Sequence, residues 1–313
     1  MAARVGAGWL RIAPAWRPRQ TLARDQMAFG YALLAPAAVL ILALVGVPFV
    51  RALWLSFHKK LLGLEDAPWI GLQNYAVLLA DSTFWQAVKN TFVFTAGSIG
   101  CKLVLGLLIA LVLNEALPLR GLWRSIVMLP YAMPTLVSVL VWKWMYNDVA
   151  GVLNYMATET KLSDHPILWL GDQNIALPAV IAVNVWRGFP FFVITILAGL
   201  QTVPQELYDA AKVDGAGARS RFLNVTWPGI MPVVAVTTLF SAILTFNDFS
   251  IIWILTRGGP GNATNVLSTL TYKIAIPGLE LGKGVAVSVL MLPILVALIL
   301  LLNRFIARRE ELA

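Results

Sequence analysis

The sequence predicts an all-α integral membrane protein with six transmembrane helices, and three observations carry that prediction. Hydrophobic residues make up 59% of the chain and charged residues only 13%, whereas a soluble domain is about half apolar and about a quarter charged. The mean hydropathy is +0.76. The apolar residues are gathered into blocks close to the roughly 20 residues that cross a bilayer at about 1.5 Å rise each. The basic residues, finally, follow the connections between these blocks and are unevenly shared between alternate connections. The short alternating segments of an outer-membrane barrel are absent from the pattern.

Taken in order, the expected spans are 28–50, 91–113, 126–146, 175–200, 230–255 and 284–302. Each must be helical, because hydrocarbon offers the backbone no hydrogen-bond partner. Pro36, Pro48, Pro130, Pro134, Pro178, Pro190 and Pro293 fall in or at the ends of these spans and predict bends. Arg4, Arg11, Arg17, Arg19, Arg24, Arg120, Arg124, Lys212, Arg219, Arg221, Arg304, Arg308 and Arg309 lie on one side, thirteen in all. The other side holds eight in a longer total stretch: Arg51, Lys59, Lys60, Lys89, Lys161, Arg257, Lys273 and Lys283. Both termini are therefore expected in the cytoplasm. This divides the chain into a cytoplasmic tail (1–26), a six-helix transmembrane domain (27–303) and a short cytoplasmic tail (304–313). The first span is of full membrane length without a small-residue cleavage site after it, which reads as a retained tail and not a cleaved signal.

The most informative connection is 202–231, between the fourth and fifth spans. Thr202 and Gln205 have the spacing of a capping box, Pro204 suits a first turn, and Glu206 favours the positive end of a helix. That helix must break near Gly215 or Gly217, with a further short turn before Pro228 and Pro232. The expected product is a compact helical elbow with small residues on one face.

Asp209-Ala210-Ala211, Gly215 and Val225-Thr226-Trp227-Pro228 in this elbow resemble the EAA coupling loop of binding-protein-dependent ABC importer permeases. Leu72-Gln73-Asn74-Tyr75, Asn184-Val185-Trp186-Arg187-Gly188-Phe189-Pro190 and Leu255-Thr256-Arg257-Gly258-Gly259-Pro260 extend the resemblance, in order, to the maltose-type, carbohydrate-uptake branch. Asp209 stands where the family has glutamate, which keeps the carboxylate and shortens its reach. The resemblance implies the architecture of a type I ABC importer permease in the bacterial inner membrane. It also implies that Glu206, Asp209, Ala210, Ala211, Asp214, Gly215 and Pro228 form an ATPase-coupling loop. The implied partners are a second permease subunit in a heterodimer, a pair of cytoplasmic ABC ATPase subunits and an extracytoplasmic sugar-binding protein. ATP and Mg belong to the ATPase chain, and no cofactor is expected on this one. In agreement, the sequence contains no G-x-x-x-x-G-K-[ST] phosphate loop.

Charges within a span cost about 2.5 to 3.5 kcal/mol at its centre and are functional candidates by default. Lys102, Lys143, Arg187 and Asp248 are such groups. Lys143 is expected to snorkel to the headgroups. Lys102 has no evident role beyond facing a partner or pairing with an acid. Asn247 and Asp248, beside Phe246 and Trp253, offer the hydrogen-bonding and aromatic groups that suit a sugar. By resemblance Gly188 and Phe191, with Asn247 and Asp248, line a substrate cavity, and Phe191 stands where a relative carries tyrosine. Arg187 and Asp248 either contact the sugar or pair with each other.

The net charge of +8 follows the membrane segments and forms no basic patch interleaved with aromatics, so nucleic acid is not an expected partner. A single cysteine, Cys101, and two distant histidines, His58 and His165, make neither a disulfide nor a metal site. No nucleophile and base pair stands out, so no catalytic residue is assigned and the chain is read as a transport subunit, not an enzyme. The expected cargo is a di- or oligosaccharide. Glycerol-phosphate or another polar solute is an alternative, as is an ion-coupled secondary transporter.

Overall fold

A computed structural model describes residues 19–310. Most of the expected N-terminal tail and the last three residues lie outside the described residues. Among the described residues, five helices are long and apolar enough to cross a membrane, and six when one sharply bent pair counts as a single span.

The first span, Gln26–Ser56, combines α1 (Arg19–Ile41), a π-helical turn (Leu42–Gly46) and α2 (Val47–Ser56). Leu34, Leu40 and Leu44 are each at least 60% exposed to the surroundings. That suits a helix whose solvent is hydrocarbon. In the π-turn the Val47 N–H reaches back five residues to the Leu42 carbonyl, immediately before Pro48. The wider turn absorbs the missing proline donor without breaking the helix.

Past that span, the Tyr75 hydroxyl donates to Ser56 Oγ at 2.6 Å, and Asn74 Nδ2 donates to the Ser56 and His58 carbonyls at 2.8 and 3.1 Å. Asn74 and Tyr75 thus clamp α3 (Gln73–Ala80) onto the chain leaving α2. α4 (Ser82–Asn114) starts at Asp81, whose carboxylate accepts the Thr83 N–H at 2.8 Å.

The third expected span, 126–146, is not one straight helix. α5 (Arg120–Ala132) and α6 (Thr135–Met145) meet at 89°. Pro134 has no N–H to give the preceding turn and forces Met133 into the extended region, at ψ 139°. Lys143, expected at the headgroups, is exposed and donates to the Ile254 carbonyl at 2.9 Å, closing the end of a neighbouring short helix.

α7 (Val152–Glu159) carries a polar hub in the following loop. Asn154 is 4% exposed. Its Nδ2 donates to the Asp148 and Ile167 carbonyls, at 3.2 and 3.0 Å, while Oδ1 accepts the Ile167 N–H and Trp169 Nε1–H, both at 3.0 Å. Asn154→Ala strands several buried partners and is expected to destabilise this loop by about 2–3 kcal/mol. Faster amide exchange at Ile167 and a lowered melting temperature are the readouts, and unchanged exchange would refute the assignment.

α8 (Ala176–Thr202) packs along α4, the most extensive helix pairing in the chain. Glycine at 106 permits it, because a Cβ there would stand 2.4 Å from Phe192 Cβ. Gly100, six residues earlier, faces open space and takes no part in this approach. Beyond the elbow helices α9 (Gln205–Val213) and α10 (Ala218–Arg221), a second π-turn, Phe222–Thr226, feeds α11 (Trp227–Phe246) without interruption. Pro228 follows this turn as Pro48 follows the first. The fifth span therefore ends at Phe246, not near 255. α12 (Ser250–Thr256), α13 (Leu267–Ala275) and α14 (Leu281–Glu310) complete the described chain.

Residues 53–310 enclose a core of three clusters. One joins the C-terminal ends of α4 and α8 to the start of α11, through Ala110, Leu113, Ile196, Leu200, Ile230 and Val234. A second gathers Phe94, Val180, Val183, Ile251, Ile252 and Val139 at the opposite end of α8. The third packs Phe84, Ala87, Phe246, Leu267, Ala286 and Met291. Between the first two, α4, α8 and α11 leave polar groups facing one another.

Candidate functional site

Asn184, Arg187, Gly188 and Phe191 follow one another at i, i+3, i+4 and i+7, so they form a single stripe on α8. Ser241, Leu244, Thr245 and Asp248 repeat that spacing at the end of α11 and just past it. Both stripes, with Lys102 from α4 and Tyr131 from α5, line one cavity of about 130 Å³. Stacked Tyr131 and Phe191 rings, 6.2 Å apart, and Phe240, 5.7 Å from Phe191, form its aromatic part.

Asp248 is held in place from three sides. Its Oδ2 accepts from Asn184 Nδ2 at 3.0 Å, its Oδ1 accepts the Ile251 N–H at 3.2 Å, and its carbonyl accepts from the Ser268 hydroxyl at 2.8 Å. Arg187 lines the same cavity but makes no ion pair with Asp248, and its Nε is buried without a partner. The carboxylate is thus positioned by neutral donors, and the guanidinium is left uncommitted. Arg187 can serve a bound solute with donors, and Asp248 with an acceptor.

Of the cavity candidates read from the sequence, Arg187, Gly188, Phe191 and Asp248 come together here. Phe246 and Asn247 do not line the cavity. Phe246 is 1% exposed in the third core cluster, with its ring 6.1 Å from Phe92. Asn247 is exposed and donates to the Ile243 carbonyl at 2.8 Å, so it finishes α11. Helical geometry explains this: in the register of 241, 244 and 245, the next two positions point away from the stripe. Sequence reasoning passed over Asn184, Thr245 and the cavity role of Lys102. The i, i+3, i+4 spacing back from Arg187 was the available signal for Asn184.

The elbow is built as its residues dictate, except at its entry. Thr202 does not cap α9, since its hydroxyl donates to the Gly199 carbonyl at 2.8 Å and it remains the last residue of α8. Pro204 takes the N-cap position, with Glu206 in the first turn. α9 ends in a Schellman arrangement: the Gly215 N–H donates to the Lys212 carbonyl at 3.0 Å and the Ala216 N–H to the Ala211 carbonyl at 2.8 Å. Gly215 has φ +77°, and nothing lies within 4 Å of the place its Cβ would take. Here glycine answers a backbone need, not a packing one.

Lys212 Nζ hydrogen-bonds Asp209 Oδ1 at 3.0 Å and holds that carboxyl below the usual range, so Asp209 is ionised at neutral pH. The Tyr208 hydroxyl and Thr226 Oγ1, 3.1 Å apart, tie α9 to the turn that begins α11. Glu206, Asp209, Ala210, Asp214, Gly215 and Pro228 are exposed, and Ala211 is half-buried. The elbow therefore presents an uncovered surface hinged to α8 and α11, two of the helices that line the cavity.

A bundle of bent, apolar helices around a polar cavity, with an exposed helical elbow joining two of them, defines a membrane transport protein. Residues 102–311 match the family described as binding-protein-dependent transport system inner membrane components. The trehalose/maltose transport system permease protein MalF of Thermococcus litoralis is 37% identical over 261 residues, 83% of this chain and 88% of that one. The trehalose transport system permease protein SugA of Mycobacterium tuberculosis is 37% identical over 276 residues, 88% of this chain and 87% of that one. The fold is similar to that of a bacterial ABC transporter involved in the import of the acidic polysaccharide alginate, with a TM-score of 0.79 at 23% identity, covering 93% of this chain and 99% of that one. The chain belongs to the family of binding-protein-dependent transport system inner membrane components.

Proposed function

We propose that this chain is the translocation subunit of an ATP-driven sugar importer, with trehalose- or maltose-like di- and oligosaccharides as its cargo. The observation that carries the proposal is the cavity between α4, α8 and α11, where a carboxylate, a guanidinium, amide and hydroxyl groups converge beside aromatic rings. That mixture matches hydroxyl-rich solutes with apolar ring faces. The names of the MalF and SugA relatives support the same class of cargo.

The cavity of about 130 Å³ is smaller than the roughly 300–1,000 Å³ of an ordinary ligand pocket. A second permease subunit, in a heterodimer, completes it in this reading. The termini and the elbow face the cytoplasm, as the distribution of Lys and Arg supports. The exposed segment formed by Glu206, Asp209, Ala210, Ala211, Asp214, Gly215 and Pro228 docks on a separate ATPase subunit, one of a pair, which holds ATP and Mg. A sugar-binding protein delivers cargo from outside. A related structure of the alginate transporter holds a pentasaccharide-bound periplasmic protein, which supports such a partner.

Because the elbow continues directly into α8 and α11, its displacement by the ATPase turns the two helices that carry both cavity stripes. The test is uptake of labelled trehalose and maltose into proteoliposomes holding the assembled permeases and ATPase, with binding protein outside and ATP inside. Uptake that requires all three components supports the proposal. Uptake by the permeases alone would establish an ion-coupled transporter instead.

A further inference from the structure

Lys102 is the most deeply buried cation among the described residues, at 4% exposure in the middle of a membrane-spanning helix. Such a charge is tolerated only with compensation. Three features of its surroundings supply it. Lys102 Nζ donates to Thr245 Oγ1 at 3.1 Å, which sets the ammonium at the C-terminal turn of α11, the negative end of that helix dipole. Three residues on, the Asp248 N–H donates to the Thr245 carbonyl at 3.1 Å, and the Asp248 carboxylate lines the same cavity as Lys102. On the opposite wall the lysine stem crosses Gly188, where a Cβ would meet Lys102 Cε at 2.5 Å and Nζ at 2.9 Å.

We propose that Lys102 is a positioning and specificity residue of the transport cavity, its ammonium acting as the charge partner of the Asp248 carboxylate, which accepts from a sugar's hydroxyl groups. This rests on the sugar-importer reading above for its cargo, but not for the pairing itself. Neither Lys102 nor Arg187 forms an ion pair with Asp248, but Lys102 is fixed to the helix end that presents Asp248, while Arg187 Nε is held by no bond. The direct bonds to the carboxylate come from Asn184 and Ile251. The lysine therefore acts through the field at this helix end and through Thr245.

The experiment is a double-mutant cycle on the full assembled importer: wild type, K102M, D248N and K102M/D248N. Two readouts are taken, the thermal midpoint of the purified complex and the uptake of labelled maltose and trehalose at equal amounts of assembled complex. K102M removes the cation placed beside a half-buried carboxylate, and is expected to lower the midpoint by several degrees and uptake by about tenfold or more. D248N leaves the ammonium uncompensated and is expected to do the same. The double variant removes both charges, so its midpoint returns close to wild type, while its uptake stays low because the acceptor carboxylate is gone. Additive losses of the midpoint overturn the proposal. Recovery of uptake together with the midpoint overturns the specificity role and leaves a structural pair. If wild type carries neither sugar, the cargo reading fails, while the midpoint cycle still decides whether the two charges are coupled.

Discussion

Replacing Gly106 by valine is expected to leave little folded protein in the membrane. A Cβ at this position falls 2.4 Å from Phe192 Cβ and 3.3 Å from both the Phe192 carbonyl carbon and the Val193 nitrogen. Two of the three obstructing atoms are backbone, and Phe192 is completely buried, so no side-chain rotation relieves the clash. α4 and α8 would have to move apart along their shared interface, which also opens the core around Ala110, Val193 and Ile196. Close backbone approach is what holds membrane helices together in the absence of a hydrophobic driving force between them. Losses of more than about 4 kcal/mol are expected where overpacking forces helices apart in this way. Membrane-inserted, protease-resistant protein is the measurement. Wild-type amounts of G106V would mean that the two helices do not meet at Gly106.

Gly188→Ala is expected to act differently, sparing the fold and removing transport. The atoms its methyl group meets are Lys102 Cε, Nζ and Cδ, at 2.5, 2.9 and 3.0 Å, the far end of a flexible side chain. Lysine can swing aside at modest cost, but it then gives up its 3.1 Å bond to Thr245 and its place at the end of α11. The methyl group also narrows the cavity beside Arg187 and Asp248. Uptake is expected to fall by about tenfold or more, because the added methyl group and the displaced ammonium obstruct the path of the solute, with assembly close to wild type and a thermal midpoint lowered less than in K102M. Normal uptake by G188A would show that neither the space over Gly188 nor the lysine's placement matters to passage of the solute.

These two glycines also mark where the sequence is legible and where it is not. The spans can be read because a bilayer imposes one length on every apolar block, and the elbow because its break depends on local chemistry. A left-handed residue after α9 favours glycine whatever surrounds it, and Gly215 supplies it. The 89° bend between α5 and α6 is equally local, being a consequence of Pro134.

Other features are settled by packing, which one sequence read along its length does not reveal. Phe246 and Asn247 look like cavity residues beside Asp248, yet α11 ends there without a glycine or proline to signal it, and Phe246 turns into the core. Thr202 and Gln205 have the spacing of a capping box, but the last turn of α8 captures the threonine hydroxyl first. Lys102 looks isolated along α4, and its partners come from residues more than 140 positions away. An intramembrane charge announces that a partner exists. Only the fold says which one.

Gly215→Asp tests whether the elbow passes ATPase motion to the cavity. Nothing lies within 4 Å of the site, so the aspartate costs about 1 kcal/mol of backbone strain at φ +77° and should not prevent insertion or assembly. It does add a bulky anion to an exposed docking surface that already carries Glu206, Asp209 and Asp214. The measurement is ATP hydrolysis by the reconstituted complex, with and without sugar-loaded binding protein. Stimulation in wild type and its loss in G215D, at equal amounts of inserted and assembled permease, is the predicted result. Equal stimulation in both would contradict the claim, because an elbow indifferent to a charge at its turn is not the element through which the ATPase drives this chain.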